Sequence, residues 1–209
     1  MKTAQQCAVF LFNFSQTNTT PMKYKILTLL LLFSVISVAQ QNLNLIPKPQ
    51  NIEYYSGSFI LNSKTVIQAD KNSFEAKYLQ QVIKQQLGLN LEITTSSKAK
   101  SKIVFVTKII EEKKSFKEWY NLSISKNEVV IKATEDHGIF YAIQTLIQLL
   151  PLEKSLEIKI PCLSITDQPK FQWRGMHLDV SRHFFPKDFI KKYIDYLAIY
   201  KMNTFHWHL

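Results

Sequence analysis

The side chains best suited to chemistry gather toward the C-terminal end of the chain: Arg174, Asp179, His206 and His208. His206 and His208 are two residues apart, so on a strand both imidazoles face one side and Trp207 faces the other. Such a pair suits zinc, as adjacent imidazoles do in barrel metallohydrolases, but two histidines make only half a metal site. Imidazoles hydrogen-bonded to neighbours satisfy the same pattern. Arg174, flanked by Trp173 and Gly175, offers a planar guanidinium with five fixed donors, a match for vicinal hydroxyls or a carboxylate. It equally fits an ion pair closing a barrel bottom or a domain junction. Asp179 and Arg182 could likewise form a salt bridge at the top of a barrel.

These residues need elements to hold them. Residues 176–179 read as a short buried-type strand. Pro186 fits the first turn of a helix whose apolar face is Phe189, Ile190, Tyr193, Ile194, Leu197 and Ala198, and Asn203 ends it. Residues 204–209 read as a second strand. A strand, a helix and a strand with short connections predict a parallel βαβ unit. In a (β/α) barrel, polar groups at the C-terminal strand ends line the active-site mouth, which is where Asp179 and His208 would lie.

Upstream the pattern changes. Residues 51–55, 58–61 and 65–69 read as short strands separated by Ser56-Gly57 and Asn62-Ser63 at hairpin-like spacing. Asn72 with Glu75 three residues on resembles a capping arrangement, and Phe74, Tyr78, Leu79, Val82, Ile83 and Leu87 recur at helical spacing up to Gly88. Strands follow at 89–93, 103–107, 120–125 and 128–132, the last two joined by a turn at Lys126-Asn127. Residues 138–150 form a second amphipathic helix ending at Pro151. The expected architecture is an α+β domain over residues 43–165, an antiparallel sheet with two helices on one face. Pro161 and the Asp167-Gln168-Pro169 turn mark the passage to the βαβ unit at 170–209.

With 209 residues and 46% hydrophobic content, the composition is that of a folded protein. The formal charge of +10 would suit a polyanion only if clustered, and Lys64, Lys77, Lys84, Lys117 and Lys132 are scattered. Solvated surface lysines account for them, so no nucleic-acid partner is expected. Met22-Lys23-Tyr24-Lys25 followed by an apolar run at 26–38 and Ser37-Val38-Ala39 has the form of an export signal within residues 1–39, with Met22 a candidate start. The run is shorter than the ~20 apolar residues a spanning helix needs, so no stable membrane span is expected after cleavage. An exported, periplasmic or secreted product is predicted. Of two cysteines, Cys7 and Cys162, only Cys162 would survive, which leaves no internal disulfide.

The run Phe171-Gln172-Trp173-Arg174-Gly175, followed by Leu178-Asp179-Val180-Ser181-Arg182-His183-Phe184-Phe185, resembles the start of the catalytic barrel of family 20 glycoside hydrolases, the β-N-acetylhexosaminidases. Lys201-Met202-Asn203-Thr204-Phe205-His206-Trp207-His208-Leu209 is similar to their second-strand motif. Ile46-Pro47-Lys48-Pro49 and Gly138-Ile139-Phe140-Tyr141-Ala142-Ile143-Gln144-Thr145-Leu146 resemble that family's accessory N-terminal domain. The resemblance covers residues 43–209.

It implies an α+β accessory domain followed by the first βαβ unit of a (β/α)8 TIM barrel. It implies an exo-acting enzyme on N-acetylglucosamine- or N-acetylgalactosamine-terminated glycans or chito-oligosaccharides, needing no cofactor and no metal. It further implies that Arg174 grips sugar hydroxyls, with Asp179 and His208 shaping the pocket. In such enzymes the substrate's own acetamido oxygen attacks the anomeric carbon, a glutamic acid protonates the leaving oxygen and a neighbouring aspartate orients the acetamide.

The sequence departs from that pattern. No adjacent Asp-Glu pair occurs in residues 1–209, and Glu135-Asp136 reads as helix-terminal charge. The expectation is therefore a truncated barrel, inactive alone, its catalytic residues lying beyond Leu209. A closed barrel takes ~250 residues, so the βαβ unit should leave apolar faces wet and be poorly supported. The alternatives are a metallohydrolase using His206 and His208, or a non-catalytic carbohydrate-binding module. Against the latter, Trp119 is the upstream domain's only tryptophan.

Overall fold

The computed structural model describes residues 43–107 and 117–209. The predicted export segment and Cys7 lie outside the described residues. Cys162 is a buried free thiol, and no helix among the described residues is long and apolar enough to cross a membrane.

The elements run β1 (Asn51–Leu61), β2 (Val66–Gln68), α1 (Phe74–Leu87), β3 (Glu92–Thr94), β4 (Lys102–Thr107), β5 (Tyr120–Ile124), β6 (Glu128–Ala133), α2 (Asp136–Gln148), β7 (Ile158–Asp167), β8 (Gly175–Asp179), α3 (Lys187–Ile199) and β9 (Thr204–His208). Strands β1 to β7 form one sheet in the order β1-β7-β5-β6-β4-β2-β3, and β8 and β9 form a second.

The α+β layering is as expected, but the large sheet is mixed rather than antiparallel. Pairs β1–β7, β5–β6 and β5–β7 are antiparallel, whereas β2–β3, β2–β4 and β4–β6 are parallel. Helix α1 supplies the crossover that the parallel β2–β3 pair requires.

Two local readings are corrected. Ser56-Gly57 does not turn the chain: β1 runs through it, and its register against β7 shifts between Tyr54 and Ser58. Gly57 takes φ 106°, which lets the strand bulge where a residue with a Cβ would be strained. Strand β7 itself was hidden by Pro161, which demotes a run of strand formers. Pro161 sits beside the bulge and past Leu163, where β5 stops pairing, so its missing N–H falls at the edge of a ladder. The Lys126-Asn127 hairpin forms as expected, with Ser125 N donating to Glu128 O at 2.9 Å.

Helix α1 starts one residue later than its capping pattern suggests. Ser73, not Asn72, is the N-cap; its Oγ accepts from Ala76 N at 3.2 Å and donates to Glu75 at 2.8 Å. Gly88 closes the helix in the left-handed conformation, φ 76°. Leu79, Ile83 and Leu87 of α1 and Ile139, Ile143 and Leu146 of α2 are buried with Phe59, Leu61, Ile67, Ile103, Leu122, Ile131, Leu163 and Ile165 of the sheet. Phe74, expected on the apolar face, is exposed because it is the first helical residue; it stacks on Tyr78, 6.2 Å between centroids.

Because the cap is Ser73, Ser73→Ala should lower stability by about 1 kcal/mol while Asn72→Ala changes it by only a few tenths. Urea unfolding followed by circular dichroism reads both, and equal losses would place the cap elsewhere.

Candidate functional site

Strands β8 and β9 are parallel, with His177 opposite His206 and Asp179 opposite His208. The alternation of strand side chains then sorts the unit into two faces. Tyr193 of α3 packs on Phe205 at 5.5 Å, and Phe205 stacks on Trp207 at 6.0 Å, so these residues face the helix. His177, Asp179, His206 and His208 share the other face. The imidazole centroids of His177 lie 4.7 Å from those of His206 and 6.2 Å from those of His208.

At the C-terminal ends of the two strands, Asp179 organises its surroundings. Its Oδ1 accepts from Ser181 N at 2.9 Å, Ser181 Oγ at 2.8 Å and Arg182 N at 3.3 Å, and it lies 3.3 Å from His208 Nδ1. Its Oδ2 is 3.6 Å from Arg182 Nε. The hydroxyl of Ser181, then His208, hold the Asp179 carboxyl down to about 2, so it is ionised at any ordinary pH. Two of the expected site residues, Asp179 and His208, are thus brought together. Arg182 joins them, its side chain 82% exposed. Among the described residues, no group of three or more His, Cys, Asp and Glu is arranged to hold a metal ion.

Arg174, to which the resemblance assigns the sugar hydroxyls, is not brought to this end. It precedes β8, at the N-terminal end of the strand. Its Nε donates to Lys201 O and its Nη1 to Phe171 O, both at 2.8 Å, while Nη2 pairs with Glu118 Oε2 at 2.7 Å. The guanidinium also lies 5.5 Å from the Tyr141 ring. With 17% of the side chain exposed, this cation is spent on the protein itself, the junction role that its position before a strand also allowed.

A second group at this end was missed in the sequence. Lys201 is buried, and its Nζ donates to Tyr120 OH at 2.7 Å and to Asp167 Oδ2 at 3.0 Å. Tyr120 OH also meets Asp167 Oδ2 at 3.1 Å and Thr145 Oγ1 at 2.7 Å. Burial pushes the Tyr120 hydroxyl well above its ordinary range, so it stays protonated and can donate. Burial also lowers the Lys201 ammonium, an effect that Asp167 opposes. Lys201 is a non-glycine residue at φ 59°, a strained backbone tied to the upstream domain by its ammonium. Asn203 adds a further tie, its Nδ2 donating to Glu118 Oε1 at 3.1 Å. No local signal marked Lys201: it stands two residues past the end of α3, and its burial depends on Tyr120 and Asp167, which are distant in sequence.

The βαβ unit is therefore anchored to the α+β domain at its N-terminal strand ends, support that its apolar pattern alone did not suggest. The expected wet faces are present: Met176, Ile194, Tyr196, Tyr200 and Trp207 are all exposed.

Comparison with known proteins gives one consistent family. "Glycosyl hydrolase family 20, domain 2" matches residues 42–168, and "Glycosyl hydrolase family 20, catalytic domain" matches residues 171–209. A β-hexosaminidase of Porphyromonas gingivalis is 34% identical over 178 residues, covering 81% of this chain and 23% of the relative. The N,N'-diacetylchitobiase of Vibrio harveyi is 42% identical over 90 residues, 43% of this chain and 10% of the relative. Among solved structures, the β-N-acetylhexosaminidase of Streptomyces coelicolor superposes with a TM-score of 0.68 at 32% identity, covering 78% of this chain and 34% of that one. The exo-β-N-acetylglucosaminidase of Vibrio harveyi in complex with N-acetylglucosamine gives 0.67 at 32%, covering 79% and 25%. The chain spans about a quarter of the length of curated relatives it matches, 23% and 26% for two of them.

Two outcomes follow from the two ends of β8. Asp167→Asn leaves the Lys201 ammonium buried without its counter-charge and should cost about 3–5 kcal/mol in denaturant unfolding, with Lys201→Met in the same chain restoring most of the loss. At the other end, Asp179 has a folded value near 2 against an ordinary 3.8. Its contribution to stability is full above pH ~4 and lost as pH falls through about 2. A carboxyl 13C titration should show that midpoint, and His208→Ala should move it upward; an unchanged midpoint would exclude His208 as a cause.

Proposed function

This chain belongs to glycosyl hydrolase family 20, and from that membership we propose that it contributes the accessory domain and the first barrel unit of a β-N-acetylhexosaminidase. The substrates are glycans or chito-oligosaccharides ending in N-acetylhexosamine, hydrolysed at the non-reducing end. Support comes from relatives described as β-hexosaminidases and a chitobiase, and from a superposable enzyme solved with N-acetylglucosamine.

The observation that carries the site reading is the pairing of Asp179 with His208 beside an exposed Arg182 at the C-terminal strand ends. Active sites of (β/α) barrels are built at that end. In this proposal the Arg182 guanidinium, oriented by Asp179, donates to hydroxyls of the terminal sugar, and His208 bounds the pocket. Arg174 serves instead to fasten the opposite end. Hydrolysis proceeds with retention through attack by the substrate's acetamido oxygen, and the acid that protonates the leaving oxygen is not among these 209 residues, which hold no adjacent Asp-Glu pair. The 209 residues alone are accordingly inactive.

The test is a chimera joining residues 43–209 to the rest of the barrel of the Porphyromonas gingivalis relative. The unfused chain should release no nitrophenol from 4-nitrophenyl N-acetyl-β-D-glucosaminide, whereas the chimera should. Removing a charged donor that strengthens toward the transition state costs about 10²–10³ in rate, so Arg182→Met in the chimera should lower kcat/KM by that factor. Arg174→Met should mainly lower the unfolding midpoint. Full kcat/KM in the Arg182 variant, or turnover by the unfused chain, would sink the proposal.

A further inference from the structure

The hydrogens around Asp179 can be counted. Ser181 Oγ carries a single hydrogen, and at 2.8 Å that hydrogen is given to Asp179 Oδ1. The same hydroxyl oxygen lies 3.3 Å from His208 Nδ1, and Asp179 Oδ1 itself lies 3.3 Å from that nitrogen. Nδ1 therefore faces two oxygens that have no hydrogen left to give it. An unprotonated Nδ1 would set its lone pair against theirs, so in the neutral ring the proton sits on Nδ1 and Nε2 is bare.

That bare nitrogen is an acceptor still open to a ligand. Nε2 takes no hydrogen bond from any described residue, and 52% of the side-chain surface is exposed. Beside it the His177 ring stands 6.2 Å away between centroids, tilted by 39°. Arg182 meets the other oxygen of the same carboxylate, Nε to Oδ2 at 3.6 Å, with its side chain 82% exposed. One carboxylate thus holds a donor on one side and an acceptor on the other. A hydroxyl satisfies both, and two neighbouring hydroxyls of a sugar ring do so together, whereas an ether, a fluorine or an ionised carboxylate can only accept.

We infer that His208 is a specificity residue of the sugar site: its Nε2 accepts a hydrogen bond from a free hydroxyl of the terminal sugar, while Arg182 donates to the same hydroxyl or the next one. The inference rests on the proposed sugar site, to which it adds the direction of one hydrogen bond. A sugar whose hydroxyl at that place is alkylated or replaced keeps the bond from Arg182 and loses the bond to His208. Ser181 and Asp179 act through His208 as positioning residues, since they fix its tautomer and hold the ring.

Two measurements test this. In the full chain carrying 15N-labelled histidine, a long-range 1H–15N spectrum at alkaline pH should show His208 Nδ1 protonated and Nε2 bare. The reverse tautomer would overturn the inference. The second uses the chimera of residues 43–209 with the Porphyromonas gingivalis barrel. His208→Asn keeps an N–H where Nδ1 stands and leaves nothing where Nε2 stands, so kcat/KM on the nitrophenyl substrate should fall about fivefold, the worth of one hydrogen bond. Substrates with fluorine in place of one sugar hydroxyl, each in turn, are then compared. At one position the wild-type chimera should lose a similar factor and His208→Asn nothing further, while Arg182→Met still slows that substrate. A His208→Asn chimera as fast as the wild type, or slowed equally on every substrate, would overturn the inference, because a loss blind to the sugar's hydroxyls belongs to the setting of Asp179 and Arg182. A chimera that is inactive, or indifferent to Arg182, would remove the sugar site itself and this inference with it.

Discussion

One carboxylate, Asp167, holds the described structure together across its two units. Its Oδ1 accepts from Gln50 N just before β1 and from Gln168 N in the linker, and its Oδ2 takes Tyr120 from β5 and Lys201 from beyond α3. A buried ammonium is tolerable only against such a fixed counter-charge, because leaving either ion alone in the interior costs several kcal/mol. The pair adds little net stability over an apolar pair of the same shape. It does make one docking geometry far better than its neighbours.

That geometry sets the two ends of β8 to different work. Below the strand, Arg174, Asn203 and Lys201 are committed to Glu118, Asp167 and backbone carbonyls, and little there is free to meet solvent. Above it, Asp179 spends its oxygens on Ser181, Arg182 and His208, all of them more exposed. One end is satisfied internally and the other is organised but open. This division, more than the identity of any single side chain, is what a binding mouth on a barrel requires.

Much of this was legible in the chain. Helical spacing, Gly88, the Lys126-Asn127 turn and the parallel βαβ unit all follow from local pattern, and the barrel motifs point to the family. What was not legible depends on partners distant in sequence. The parallel pairs of the large sheet arise from crossovers that periodicity cannot order, and Pro161 masked β7 because its place at a ladder edge exists only once β1 bulges opposite it. Arg174 was assigned to the sugar although it stands before its strand, and the direction of the strand alone argues for the lower end. Glu118, Asp167 and Tyr120 carried no signal, since an isolated acid or tyrosine reads as surface or core until Lys201 arrives beside it.

The pairing of β1 with β7 bears on how the molecule is made. Asn51 lies against Thr166, and Leu61 against Ile158. The first strand of the domain therefore finds its neighbour only after some hundred residues of intervening chain have left the ribosome, a distant closure that folds more slowly than local contacts do. Until then its backbone N–H and C=O groups have no partner strand. The strand that arrives to pair with it ends in Asp167, so the event that completes the sheet edge also sets out the carboxylate on which the next unit will land. Assembly is ordered in time by the same ten residues that order it in space.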